Sequence, residues 1–213
     1  MRNAIVGEGS QIDESVLLGY PTGRKIEVAK TVIGDRARIR SNTVIYTNVV
    51  IGDDLETGHN VVIREENVIG NSFRVWNNSA VDYGCKIGNG VRIHNNVYVA
   101  QYTMIEDDVF LAPGVIIAND PHPICTKCMR GPTIKRGARV GVNATLLPSI
   151  TVGEYSLVGA GSVVTVDVPP HTLVYGVPAR PVKAIDALEC PLNLVDRPYL
   201  EGRDVWTRER KAI

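Results

Sequence analysis

Aromatic side chains are scarce in this 213-residue chain, at 6% with two Phe and two Trp, although hydrophobic residues make up 44%. A core with so few rings to fill it is narrow and lined by aliphatic groups. Neither charge sign dominates: 23 Lys and Arg balance 23 Asp and Glu, for a formal net charge of +0. That balance removes the global electrostatic case for nucleic acid or a membrane surface as partner. Long apolar runs are missing too, and none approaches the length of a membrane span. The first residues, Met1 to Gly7, already enter the repeat described next, which leaves no room for a signal peptide. The expected location is the cytoplasm, where the four cysteines stay free or bind metal rather than pair.

What is present is a six-residue period. From Ile33 onward, Ile39, Ile45, Ile51, Ile63, Ile69, Val75, Val81, Ile87, Ile93, Val99, Ile105, Leu111 and Ile117 keep one phase, broken only by Thr57. The phase is lost after Ile117 and resumes at Ile134, Val140, Leu146, Val152, Val158 and Val164, while Val6, Ile12 and Leu18 form an earlier stretch. A short fixed period held this long marks a solenoid. A helical stripe would repeat at three and four places, so helix is rejected. Gly follows the aliphatic residue at Gly7, Gly34, Gly52, Gly70 and Gly88, and a small or branched residue such as Ala37, Thr43, Val61, Cys85 or Ala138 stands four places after it. Each hexad reads as a short strand and a tight turn whose conformation is supplied by Gly, Asn or Asp.

Three segments interrupt the repeat, and on a solenoid the insertions and tails carry specificity. Tyr20 to Val32 is the first, 118–133 is the larger, and after Pro169 the hexads give way to a closing segment. The reading is one domain over 1–185 and a charged tail over 186–213 that packs along the solenoid or caps its open last coil.

The hexads resemble the hexapeptide-repeat left-handed parallel β-helix, an all-β fold in which eighteen residues make one triangular coil. That resemblance implies eight coils and a prism about 40 Å tall at ordinary strand spacing. The projecting loop, Gly159-Ala160-Gly161-Ser162-Val163-Val164 and Tyr175-Gly176-Val177-Pro178-Ala179-Arg180 are similar to the hexapeptide acyltransferases. Asn95-Asn96-Val97, Glu106 to Phe110, Asn119-Asp120 and Gly131 to Ala138 resemble the branch that N-acylates amino sugars on nucleotides. The chain departs from that branch inside the loop, where His122 and two cysteines appear. The resemblance implies a homotrimer using acetyl-CoA and a sugar acceptor.

Acyl transfer to an amine needs a base for the amine proton and a donor for the developing oxyanion. Histidine suits the base role near neutral pH. His122 stands between two prolines in the loop, and a His-Pro there supplies the base in several hexapeptide acyltransferases; His94 is the second catalytic candidate. His59 reads as structural and His171 as uninvolved in proton transfer. Asn95 and Asn96, with Asn119, Asp120 and Arg130, are the acceptor-binding candidates, Arg130 for a phosphate or carboxylate. Stacked asparagines such as Asn60, Asn77 and Asn78 are better read as corner ladders. Gly141, Asn143, Ala144, Gly159, Ala160 and Gly161 cluster near the terminal signature as CoA-binding candidates, and Lys135, Arg136, Arg180 and Lys183 would meet its phosphates.

Cys125-Thr126-Lys127-Cys128 places two thiolates at zinc-ligand spacing, with Cys190 able to fold back as a third ligand and His122 as a fourth. A zinc-bound His122 is no longer a free base, so the two readings compete. Cys85 falls in an inward slot and reads as inert. A sugar O-acetyltransferase is the near alternative. A metalloenzyme like the γ-type carbonic anhydrase is the distant one, and it requires three histidines converging on zinc.

Overall fold

The computed structural model describes residues 3–195 and 197–199. The chain winds as a left-handed β-helix with three parallel faces. The first face stacks Ala4–Val6, Thr31–Ile33, Val50–Ile51, Val68–Ile69, Lys86–Ile87, Met104–Ile105, Thr133–Ile134 and Thr151–Val152. The second begins at Gln11–Ile12 and ends with Leu157–Val158, and the third runs from Leu17–Tyr20 to Val163–Val164. Successive coils pair in parallel, as in Val68 with Val50 and Lys86. A hairpin of Thr172–Gly176 and Ala179–Ala184 extends the second face to ten strands, against eight on each of the others.

Each hexad contributes two residues to the core. The aliphatic residue that ends the strand points inward, so Ile39, Ile45, Ile63, Val81 and Ile93 are all buried. The residue four places on fills the corner, so Ala37, Val49, Val61, Val91 and Ala138 are buried as well. Thr57 keeps its inward place because its hydroxyl accepts from the Arg40 N–H at 2.9 Å and lies 3.3 Å from that of Thr43. Asn67, also inward, donates to the carbonyls of Arg64 and Asp82 and accepts from the Cys85 N–H. A buried polar group is tolerated once its partners are supplied. Phe73 corrects the expectation of a ring-free interior: its ring occupies a corner slot with no exposure.

The glycines divide between two jobs. Left-handed φ falls three places after the inward residue, where Gly, Asn and Asp supply it as expected, at Asn42 (63°), Asn60 (58°), Gly90 (66°) and Gly114 (73°), with Arg36 (58°) adopting it too; Gly34 and Gly52, which follow the strand, do not adopt it. Gly34 and Gly52 are required by close approach instead. A Cβ at Gly34 would overlap the Asp53 carboxylate, which accepts the Asp35 N–H at 2.9 Å; at Gly52 the obstacle is Asn71, which accepts the Asp53 N–H at 2.9 Å. The same bond recurs from Asn71 to Asn89 and from Asn89 to Asp107, giving a ladder of side-chain acceptors along one corner. Asn42, Asn60 and Asn78 form a second ladder, amide to amide at 3.1 Å.

The insertions are shorter than the sequence suggested, because Tyr20, Thr31, Val32 and Thr133 belong to strands; the segments outside the coils are 21–30 and 118–132. After the hairpin, Ile185–Ala187 forms a short 3-10 turn with Ile185 buried. In the tail, the Tyr199 carbonyl accepts from Arg139 of the second face at 3.4 Å, and residues 200–213 lie outside the described residues. The outward rows differ by face. The first presents Ile5, Val32, Val50, Val68, Lys86 and Met104, then Thr133 and Thr151; the second presents Gln11, Arg38, Glu56, Arg74, Arg92, Phe110, Arg139 and Leu157. Among the described residues no helix is long and apolar enough to cross a membrane.

The inward rows should tolerate neither loss nor gain of volume. Ile93→Ala is expected to destabilise by about 2–5 kcal/mol through the cavity it leaves, and Ala138→Leu by about 1–3 kcal/mol through overpacking. Chemical denaturation of both variants measures this.

Candidate active site

Both insertions leave from strands of the third face, Leu17–Tyr20 and Ile116–Ile117, and return to strands of the first, Thr31–Ile33 and Thr133–Ile134. They therefore emerge at the same corner of the prism. A continuous polar column joins them. Thr22 and Arg24 of the first insertion donate to Glu65 at 2.9 and 3.3 Å, and Arg24 lies 3.8 Å over the Tyr83 ring. Glu65, whose side chain is fully buried, also accepts from Arg64 at 3.0 Å, and Arg64 pairs with Asp82 at 3.3 Å. Asp82 accepts from the Tyr98 hydroxyl at 2.9 Å and from the Gln101 amide at 2.6 Å, and Gln101 accepts from Asn119 at 2.7 Å. Asn119 is the neck of the second insertion.

Sequence reasoning missed this column, although a signal was there. Glycine follows the strand repeatedly at the corner between the first and second faces, whereas this corner has Tyr46, Arg64-Glu65, Asp82-Tyr83 and Gln101-Tyr102. Desolvation pushes the Glu65 carboxyl up, but its hydrogen bonds from Arg64, its own backbone and Thr22 outweigh that and hold it below the usual range. Burial, then the bond to Asp82, pushes the Tyr98 phenol up to about 12.

The loop is closed at its neck: the Arg130 N–H donates to the Asn119 carbonyl at 2.7 Å, and the Ser149 N–H to the Arg130 carbonyl at 3.1 Å. Gly131 packs so tightly on Thr103 that a Cβ would overlap its backbone. Inside the loop, the two oxygens of Asp120 accept the backbone N–H groups of His122 at 3.0 Å and Cys125 at 2.7 Å. Asn119 is buried and Asp120 half-buried, and both organise the loop through these bonds. Arg130 is exposed. The ligand atoms of His122, Cys125 and Cys128 all lie within 4.8 Å of one another. The neighbouring Cys125 thiol holds that of Cys128 above its ordinary value. Cys190 does not join this group: it opens a turn after the hairpin, where its carbonyl accepts the Asn193 N–H at 2.9 Å.

The remaining candidates divide. His94 is half-buried with its ring edge-on to Phe110 at 5.5 Å; Asn95 beside it is half-buried and Asn96 is exposed in a left-handed conformation (59°). Lys135 pairs with Glu106 at 2.7 Å and Arg136 with Asp107 at 2.9 Å, both at the surface. Ala144 is wholly buried, which removes it from any ligand surface. Gly141 faces the next coil at Ala160, where a Cβ would meet the Ala160 nitrogen. Asn143, Ala160 and Gly161 are exposed, Gly159 is half-buried, and Arg180 is exposed on the hairpin. A groove of ≈ 470 Å³ between Lys135, Gly153 and Pro170 lies near these coils. Histidines do not converge within the chain: His122, Cys125 and Cys128 form the only such cluster among the described residues.

The Glu65 pairing makes stability depend on acid. Because its folded-state value is lowered, its contribution is complete above the ordinary carboxylate range and is lost as pH falls through that lowered value. Glu65→Gln should cost about 1–3 kcal/mol at neutral pH, with the gap from wild type closing in acid, as read by denaturation at several pH values. Burial also pushes the Cys85 thiol up to about 12, so it should resist alkylation in the native protein while Cys125, Cys128 and Cys190 are modified. Mass mapping after brief iodoacetamide treatment reads this directly.

The family model for bacterial transferase hexapeptide (six repeats) matches residues 30–65. The galactoside O-acetyltransferase of Escherichia coli is 33% identical over 96 residues, 41% of this chain and 47% of its own. The serine acetyltransferase of Salmonella typhimurium is 40% identical over 84 residues, 39% of this chain and 30% of its own. The dTDP-3-amino-3,6-dideoxy-alpha-D-galactopyranose 3-N-acetyltransferase of Aneurinibacillus thermoaerophilus is 51% identical over 47 residues, 22% of this chain and 24% of its own. The chain thus spans less than half the length of each of these curated relatives. With its eighteen-residue coils and the matched repeats, the chain is a hexapeptide-repeat left-handed β-helix protein that resembles the acyltransferases built on that scaffold.

Proposed function

We propose that this chain is an acyl-CoA-dependent acyltransferase that N-acetylates an amino sugar carried on a nucleotide, with acetyl-CoA as donor. The observation that carries the reading is the closed loop at the two-insertion corner, which holds His122 between Pro121 and Pro123 with its backbone N–H fixed by Asp120. In the transfer, the neutral amine adds to the thioester carbonyl and His122 takes the proton that the nitrogen gives up. Collapse of the tetrahedral intermediate forms the amide and breaks the C–S bond. The proton held by His122 then passes to the departing CoA sulfur. General-base help of this kind supplies roughly 10²–10⁴-fold in rate.

The local identity to the dTDP-amino-sugar enzyme supports a nitrogen acceptor, and Arg130, exposed at the loop neck, suits a nucleotide phosphate. His94, Asn95 and Asn96 lie at the corner between the second and third faces, one corner away from the loop, and would offer polar groups to a sugar held between two subunits of the trimer proposed below. The coils of Gly141, Gly159 and Gly161 suit the pantetheine arm, with Arg180 for a phosphate. The first face, whose outward row of Ile5, Val32, Val50, Val68 and Met104 is interrupted only by Lys86 among its exposed members, suits burial against a second copy, and a homotrimer is the assembly we propose. A sugar hydroxyl as acceptor would use the same base, and the similarity to the galactoside enzyme is the observation behind that second reading.

Acetyl-CoA turnover against a panel of nucleotide-linked amino sugars tests the proposal. His122→Ala should lower kcat by at least about 10²-fold with the fold unchanged by circular dichroism. Product mass counts the acetyl groups added, and resistance to hydroxylamine separates an amide from an ester. Full turnover by the variant would move the base role to His94, and no turnover on any amino sugar would remove the acceptor assignment.

A further inference from the structure

The functional reading uses His122 but leaves Cys125 and Cys128 without a task. Their position is unusual for surface thiols. The ligand atoms of His122, Cys125 and Cys128 lie within 4.8 Å of one another, although the loop that carries them is outside the repeat. The backbone fixes all three. Asp120 grips the N–H groups of His122 and Cys125 with its two oxygens, and the Cys128 N–H closes the turn onto the Cys125 carbonyl at 3.2 Å. The neck, tied between Asn119, Gln101 and Arg130, anchors this arrangement to the rigid coils.

We propose that His122, Cys125 and Cys128 bind one zinc-class divalent cation, with a fourth coordination position open to solvent. A tetrahedral zinc with two sulfurs at about 2.3 Å and one nitrogen at about 2.0 Å holds its ligand atoms roughly 3.5 Å apart. Contraction from the present spacing needs only small side-chain rotations, since His122 and Cys128 are exposed and Cys125 is half-buried. Two thiolates and an imidazole favour zinc, cobalt or copper(I) over magnesium or calcium. Binding releases the two thiol protons to solvent and makes a site with no net charge. Cys190 is not a ligand, for it stands outside the cluster.

Occupancy engages a ring nitrogen of His122, so a bound cation withdraws the base assigned above. This consequence rests on the acyl-transfer reading; the binding does not. Zinc is therefore expected to inhibit transfer as the site fills, and Cys125→Ser protein to resist it.

The test uses the full chain, reduced with a phosphine, stripped with chelator and titrated with Co²⁺. One equivalent per chain should produce a thiolate-to-cobalt charge-transfer band in the near ultraviolet with tetrahedral bands in the visible, both displaced by Zn²⁺. Cys125→Ser or Cys128→Ser should weaken binding on the order of 100-fold or more, since even an outer partner of a metal ligand is worth 10–100-fold. Cys190→Ser should leave the spectrum unchanged, and circular dichroism of each variant establishes that the coils persist. Absence of the charge-transfer band, or a band that survives both loop substitutions, overturns the site. Cobalt binding without inhibition of a working transferase leaves the site standing and removes His122 as the base.

Discussion

The eighteen-residue stacking register is the constraint on which everything else here depends. Each strand donates to the coil ahead of it, as Val50 N–H does to the Asn67 carbonyl at 2.9 Å and Val68 N–H to that of Cys85 at 3.1 Å. Such pairing turns the inward aliphatics into continuous rows, so a shift of one residue would carry every buried side chain to the outside. Insertions are compatible with that rule only as complete detours. Ile105 pairs with Ile134 across the larger one, and Val6 with Ile33 across the smaller, with the register intact on both sides.

Because the scaffold is rigid and the detours share a corner, a short polar column suffices to bind them into one unit. Glu65 and Asp82 are buried at that corner, and each is paired with cations or hydrogen-bond donors from neighbouring coils. Partnered buried charges of this kind add less to stability than to specificity of arrangement. Here they link Thr22 and Arg24 of one insertion to Asn119 at the neck of the other, so the loop bearing His122 stands on a framework reaching down several coils. The loop interior is organised by Asp120, and its outer surface is left to His122, the two thiols and Arg130.

In the two proposals made above, base and metal ligand fall on one histidine. A loop of this length offers few fixed positions, and the prolines on either side of His122 and the Asp120 carboxylate that accepts its N–H fix its backbone there. On those proposals, proton transfer and cation binding are mutually exclusive uses of the His122 ring.

The period of Ile39, Ile45, Ile63 and their kin was readable in the sequence because each hexad repeats one local solution: a strand-ending aliphatic inward and a small residue at the corner. The two detours followed from it, whereas the triangular coil of three hexads and the number of coils came from the resemblance to the left-handed β-helix. Other features depended on contacts between coils, which a linear reading does not contain. Gly34 and Gly52 are glycine because a side chain from the next coil occupies the space, and Phe73 fits because its corner slot happens to admit a ring. Ala144 is buried in the core, Lys135 is paired with Glu106, and Asn119 and Asp120 bond within the loop and its neck, none of which the linear order announces. Sequence by itself determined the repeat, since that is a local and periodic property; the tertiary structure alone decided which side chains meet at the corner, since those meetings join residues that the winding of the coils, and nothing in their order along the chain, brings together.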